Sequence, residues 1–352
     1  TCALICSPSA SSSTPERERM ENIPSLLSDL ADYISRHQLP SGAIPWYDEG
    51  ITDPWDHVEC AIALDLTGRF DRAVMAYRWM KKKQNPDGSW YSGYVDDKPK
   101  DLTRDTNHST YIATGVWYHY LVTKDEAFLQ EMWPSVQAAI DFALGMQQPG
   151  GEILWACNGA KGTWPGAIYG ASACVWQSVR SGLKIAKKIG VKRPDWETSN
   201  ARLLDAMRQR RECFDKYGED RQGFATNWYY PVLTGVVQGE EARKMIVERW
   251  HDFVVEDWGC KCVTGTPWVT VAETSELVMS LYRIGDRDRG SQLMEWMLRL
   301  KDHDGGFETG VKLPDQMIWP EEKNTWTSAG VIMAISAWAK VEGLTIEGLH
   351  VP

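Results

Sequence analysis

The 352-residue chain has no run near the roughly twenty consecutive apolar residues that a membrane-spanning helix needs, so no span is expected. It has almost no stretch in which apolar and polar residues alternate, which leaves little room for a sheet. Basic residues are scattered, with Lys81-Lys82-Lys83 as the one tight cluster. At a formal net charge of −10 the chain lacks the cationic footprint of a nucleic-acid-binding protein. No Gly-rich loop has the spacing of a phosphate cradle, and no serine or cysteine triad is supported. The eight cysteines, Cys2, Cys6, Cys60, Cys157, Cys174, Cys213, Cys260 and Cys262, form no CxxC pair and no zinc-type cluster. They read as free thiols of a reducing, cytoplasmic compartment, and neither metal nor other cofactor is expected. The first nineteen residues are Ser-rich without the charged and apolar regions of a signal peptide, and read as a leader.

What the chain has in excess is tryptophan, 18 residues against 7 Phe. Indole offers a broad flat face with one hydrogen-bond donor, which suits sugar rings or hydrocarbon polycycles as well as core packing. Apolar residues at the helical period mark helices over 22–36, 54–67, 69–84, 105–123, 126–147, 167–189, 195–212, 227–237, 239–255, 267–284, 287–301 and 324–341. Short links such as Thr67-Gly68-Arg69, Thr123-Lys124-Asp125 and Gly285-Asp286 alternate with long ones carrying Gly and aromatics. Five long links share a theme: Gln38–Trp46, Gln84–Trp90, Gln147–Trp155, Arg221–Phe224 and Asp302–Phe307. Helical hairpins joined this way predict an all-α (α/α)6 toroid. Each hairpin buries its apolar face on its neighbours, and the long loops collect at one end. No shift in composition interrupts 20–345, which reads as one domain followed by a tail over 346–352.

Function is expected at the loop end. Asp53-Pro54-Trp55-Asp56-His57 opens the second helix, with Asp53 as N-cap and Pro54 at the first helical position. Glycoside cleavage needs two carboxyl groups flanking one bond, roughly 5 Å apart for retention or 6.5–9.5 Å for inversion. Asp53, Asp56, Asp105, Glu152, Glu273, Glu308 and Glu321 are the acids expected around the cavity. Glu308 follows Gly305-Gly306-Phe307, where glycine lets the backbone pass close to a ligand, and is the expected base. Its expected partner acids are Glu273, then Glu152, then Asp56. Glu273 leads because an apolar helix start raises a carboxyl pKa, although a buried Glu paired with an Arg fits the same pattern. The expected substrate-binding set is Asp53, Trp55, Asp56, His57, Trp90, Asp105, His108, Trp155, Trp268, Glu321 and Trp326.

Trp55-Asp56 followed by Ala61-Ile62-Ala63-Leu64, then Gly68, Ala73 and Trp79, resembles the opening of the six-hairpin glycosidases, the glucoamylase-like (α/α)6 barrels. The likeness continues through Asp105 to Tyr120, Asp125-Glu126-Ala127-Phe128-Leu129 with Trp133-Pro134, and Gly151-Glu152-Ile153-Leu154-Trp155. It implies a substrate-gripping Asp56, sugar-binding groups near Asp105, and a base on the turn ending in Glu308. Glucoamylase-like enzymes place their general-acid Glu directly after the Trp that matches Trp155, and here that position is Ala156. Either the acid comes from elsewhere or glucoamylase-type hydrolysis is absent. Separately, Gln84–Trp90 matches the QW motif of squalene cyclases. Asp97-Lys98-Pro99 with Asp105 and His108 is similar to a zinc-ligand segment of protein prenyltransferase β subunits. The Asp-x-Asp-Asp and Asp-x-Cys motifs of those toroids are missing. The expectation is therefore a carbohydrate-active enzyme acting on a glycosidic bond of an oligosaccharide or glycoside. A prenyl-type or terpenoid enzyme and a non-catalytic sugar- or lipid-binding toroid are the alternatives. The sequence says nothing about oligomeric state.

Overall fold

The computed structural model describes residues 14–217 and 221–352. Thirteen helices run through them: α1 (Thr14–His37), α2 (Pro54–Leu66), α3 (Phe70–Lys83), α4 (Thr106–Thr123), α5 (Glu126–Leu144), α6 (Tyr169–Lys188), α7 (Pro194–Gln209), α8 (Ala225–Thr234), α9 (Gly239–Glu248), α10 (Trp250–Phe253), α11 (Val271–Ile284), α12 (Arg287–Leu298) and α13 (Thr325–Glu342). Residues 1–13 of the expected leader lie outside the described residues, whereas 14–19 belong to α1. The helix expected over 239–255 divides at Arg249 into α9 and α10. The one expected from 267 starts at Val271, because Trp268–Thr270 is a strand.

The helices form two concentric rings. In the inner ring α2 packs on α4, α4 on α6, α6 on α8, α8 on α11, α11 on α13, and α13 returns to α2, which closes the barrel. Helices α1, α3, α5, α7, α9 and α12 lie outside. Burial explains which helix goes where. Eleven of the thirteen residues of α2 are buried, against five of fourteen in α3, whose opposite face carries Asp71, Arg78 and Lys82. Inner helices approach closely through small residues: a Cβ at Gly115 of α4 would stand 2.7 Å from both Val58 of α2 and Tyr77 of α3.

The Gln and Gly of the long loops are a packing device used three times. The side-chain amides of Gln38, Gln84 and Gln147 each donate to the carbonyl four residues on, at Gly42, Gly88 and Gly151. Each also donates to a carbonyl of the next outer helix, at Arg72, Ser135 and Ser199. All three glycines have φ between +91° and +100°. A Cβ on any of them would meet a backbone oxygen of that helix within 2.5 Å, so only glycine fits. The Gln84–Trp90 loop is thus one copy of a helix clamp. Trp90 itself is fully buried, with its indole N–H donating to Met80 O at 2.7 Å. It is a core residue and not the substrate contact expected.

Few strand-like runs were expected, and the strands present are two to four residues long. Most of them stitch the loops into a rim. Thr52 bridges Tyr94, Asp105 pairs with Ala156, Ala167 bridges Phe214, Phe224 bridges Val263, and Val269 pairs with Val311. Thr325 N–H to Trp46 O at 2.8 Å completes the circuit. The inner helices begin at this rim. They finish at the other end, where His350 N–H donates to Leu66 O at the close of α2. No described helix is long and apolar enough to cross a membrane.

Candidate active site

The first two turns of α2 and α11 bring five carboxyl groups together. Asp53 caps α2, its Oδ1 accepting from Trp55 N at 2.9 Å and Asp56 N at 3.0 Å and its Oδ2 from Trp46 Nε1 at 2.6 Å. Asp56 hydrogen-bonds Asp53, and its pKa is held well above the usual carboxylate range. Burial is the main cause, followed by the charge and hydrogen bond of Asp53 and the charges of Glu59 and Glu276. Two acids in hydrogen-bond contact cannot both ionise easily, and burial beside these neighbours favours the protonated form of Asp56. Glu273 stands on the first turn of α11, half-buried, accepting from the Thr270 hydroxyl. The Cys262 thiol is also hydrogen-bonded to Glu273, and burial and that carboxylate push its pKa up.

One helical turn deeper lie Glu59 and Glu276. Glu59 Oε1 accepts from Trp55 Nε1 at 2.9 Å and Tyr111 OH at 3.4 Å, beneath a Trp55–Tyr111 stack with centroids 3.9 Å apart. Glu276 accepts from the hydroxyls of Tyr229 and Tyr230. Burial raises both acids, Glu276 to about 7, and each also feels another carboxylate, Glu59 that of Glu276 and Glu276 that of Glu273. The residues expected from sequence did not include Glu59 or Glu276. The signal was present, since each follows a predicted site acid by three residues inside an apolar helix and so shares its face.

Helices α4 and α13 flank α2 and open with buried polar atoms whose hydrogen-bonding capacity is unspent. They are Asp105 Oδ1, Asn107 Oδ1, His108 Nδ1, Asn324 Oδ1, Trp326 Nε1, Thr327 Oγ1 and Ser328 Oγ. Such atoms are uncommon in a finished core. Asp105 Oδ2 takes the Ser92 hydroxyl, burial raises its pKa, and His108 Nδ1 stands 3.5 Å away. A ligand with many hydroxyl groups suits this mixture of donors and acceptors.

Other expected site residues lie elsewhere. His57 is fully buried, its Nδ1 accepting from Ile44 N at 3.1 Å and its Nε2 donating to Ala76 O at 2.9 Å. Burial lowers its pKa to about 4, and with both nitrogens occupied it ties α2 to α3 and has none left for substrate. Glu152 folds back over Gly150 in the third clamp, beside α7. Glu308 stands near Lys323, Asp302 and Asp304, whose charges act on it, in a loop whose Gly305 and Gly306 pack on Asp29 and Tyr33 of α1. That is the outer wall. Glu321 is exposed on the same loop. Trp155 sits on the rim edge-on to Trp164, and Trp268 edge-on to Trp319, with its N–H donating to Trp319 O at 2.8 Å.

No family model matches the chain. It is 42% identical over 317 residues to the MMP endo-(1,4)-3-O-methyl-alpha-D-mannosidase of Mycolicibacterium hassiacum, a match covering 90% of this chain and 87% of that protein. The fold is shared with a GH63 mannosylglycerate hydrolase from Thermus thermophilus (TM-score 0.69, 12% identity, 89% of this chain and 100% of that one). It is also shared with a wild-type glycosidase (TM-score 0.68, 13% identity, 93% and 99%). The glycosidase half of the sequence resemblance is thereby supported, and the terpenoid-cyclase half finds no support. A closed (α/α)6 barrel with an acid cluster at its loop end, and sequence identity of this extent, place the chain in the glycoside hydrolase family of the Mycolicibacterium hassiacum endo-mannosidase.

Proposed function

We propose that the protein is an endo-acting α-mannosidase that cleaves internal (1,4) linkages of a 3-O-methylated mannan, with Asp56 as general acid and Glu273 as its partner carboxylate. The observation that carries the reading is the placement of Asp53, Asp56 and Glu273 at the starts of the inner helices α2 and α11, where burial and the Asp53 carboxyl favour a proton on Asp56. Asp56 gives that proton to the glycosidic oxygen as the bond from C1 to that oxygen breaks. Asp53, fixed by three N–H donors, then faces the new carboxylate. Water adds to C1 and loses its proton to Glu273, which Thr270 orients. Asp105, His108, Asn324 and Trp326 bind the hydroxyl groups of the sugars on either side, which uses their unspent donors and acceptors.

The substrate class follows the relative of 42% identity. The test is to incubate the protein with a 3-O-methylated α-(1,4)-mannan and an unmethylated one of equal length, and to follow chain length and anomeric configuration by NMR. Products of intermediate length from the methylated chain are expected. Release of single sugars from one end, or no cleavage of either chain, rejects the proposal.

A further inference from the structure

Below the Glu59–Glu276 layer the barrel opens again, toward the end where the inner helices finish. A cavity of about 480 Å³ lies there, within the size range of ligand pockets. Its floor is Trp55, Glu59, Tyr111, Tyr230 and Glu276. The two floor carboxyls are bonded by Trp55, Tyr111, Tyr229 and Tyr230, so their polarity is spent on the protein. Its walls are mainly apolar, formed by Ile62, Leu233, Met279 and Met333, with the hydroxyls of Thr114, Thr234 and Ser336 between them.

The mouth is cationic. Arg283 lines it, as does Lys340, whose Nζ donates to the O of Pro352 at 2.8 Å. The Arg283 guanidinium lies against Gly235, where a Cβ would come within 2.2 Å of its Nη2. Arg180, one turn from the lining Gln177, lies over the Trp176 ring at 4.6 Å, and Lys184 over Trp117 at 5.8 Å. None of Arg180, Lys184 and Arg283 forms an ion pair with a described carboxylate. They are close enough that Arg180 depresses the pKa of both Arg283 and Lys184, after burial, the largest cause for each. The dipole at a helix C-terminus favours one cation, but it does not explain three crowded together without a counter-charge in a chain of net charge −10. Met-lined walls adapt to flexible apolar chains.

We propose that this cavity is a second binding site, for a monomeric single-chain amphiphile whose anionic head pairs with Arg283 and whose apolar chain runs toward Ile62 between Met279 and Met333. The site shares its floor, Trp55, Glu59 and Glu276, with the deep layer of the acid cluster, lies on the opposite side of that layer from Asp56 and Glu273, and does not rest on the hydrolase reading.

The test uses decanoate below its micellar concentration, decanol as the uncharged chain of the same length, and phosphatidylglycerol vesicles, with binding followed by calorimetry. Saturable binding of one decanoate per chain is expected, with decanol weaker by about 10–100-fold, the worth of a charge-assisted hydrogen bond. Arg283→Gln should lower decanoate affinity by a similar factor and leave decanol unaffected. Ala337→Trp, which fills the cavity, should abolish both while circular dichroism stays unchanged. Equal affinity for decanoate and decanol, binding that survives Ala337→Trp in a folded variant, or association with vesicles but not with monomeric decanoate would each overturn the proposal.

Discussion

At the end where the six inner helices begin, each is preceded by a connection of 15 to 26 residues. At the end where they finish, links of two to five residues turn the chain into the next outer helix, and α13 continues into the C-terminal segment. The long connections are hydrogen-bonded into a rim and surround Asp53, Asp56 and Glu273. The short ones leave the barrel open on a mainly apolar cavity lined by Arg283 and Lys340. The helix dipole sorts charge in this sense, acids at N-termini and bases at C-termini, and loop length decides which end can shape a site around them. The same ring therefore presents a polar face suited to hydroxyl groups and an apolar one suited to a chain with an anionic head.

The contrast is broken most strongly at the acid cluster. Asp56→Asn and Glu273→Gln should each lower turnover by about 10²–10⁴-fold with an unchanged melting temperature, because each keeps its shape and loses its proton chemistry. Glu308→Gln, on the outer wall, should alter turnover less than about threefold if Glu308 is no acid or base. Steady-state rates for the three variants decide between the inner-ring pair and the last loop: a collapse in Glu308→Gln with a mild effect in Glu273→Gln would move the chemistry to that loop.

A smaller effect is expected one turn deeper, in the layer dividing the two ends. Folded Glu276 titrates near 7 against an ordinary value of 4.5. The unfolded chain therefore loses this proton first as pH rises. The stabilisation is whole below the unfolded value and is lost as pH climbs through the folded one. Stability should fall by on the order of 1–3 kcal/mol between pH 4.5 and 7, and Glu276→Gln should flatten that slope. Denaturant melts at closely spaced pH values check it. An identical slope in the variant would assign the dependence to another group.

The smallest effect sharpens the polar end alone. Trp326→Phe keeps an aromatic ring and removes an unpartnered N–H. KM should rise by about 3–10-fold, the worth of one neutral hydrogen bond, with kcat little changed. A fall in kcat at constant KM would instead place this indole at the reacting bond.

Much of this architecture was legible from local chemistry. Asp53 before Pro54 is a cap because its side chain reaches N–H groups two and three residues on. The spacing of apolar residues marked twelve helices within a few residues of their observed ends, except that α1 starts earlier and that α9 and α10 were read as one helix. The acid helix starts at Asp56 and Glu273 were visible, and so was the alternation of short and long links that implies a toroid. What each loop does was not. Gln84 and Gly88 look like a motif when read along the chain, and their task becomes clear from Ser135 and Ala138 of α5, which they grip. Nor could sequence tell the positions of Glu308 and Glu273 apart, since both are acids near a turn in apolar surroundings. Whether a residue begins an inner helix or lines the outer wall follows from ring closure. Closure sets the separation of groups far apart in the chain, and a proton shared between carboxyls depends on that separation and on the water excluded from between them.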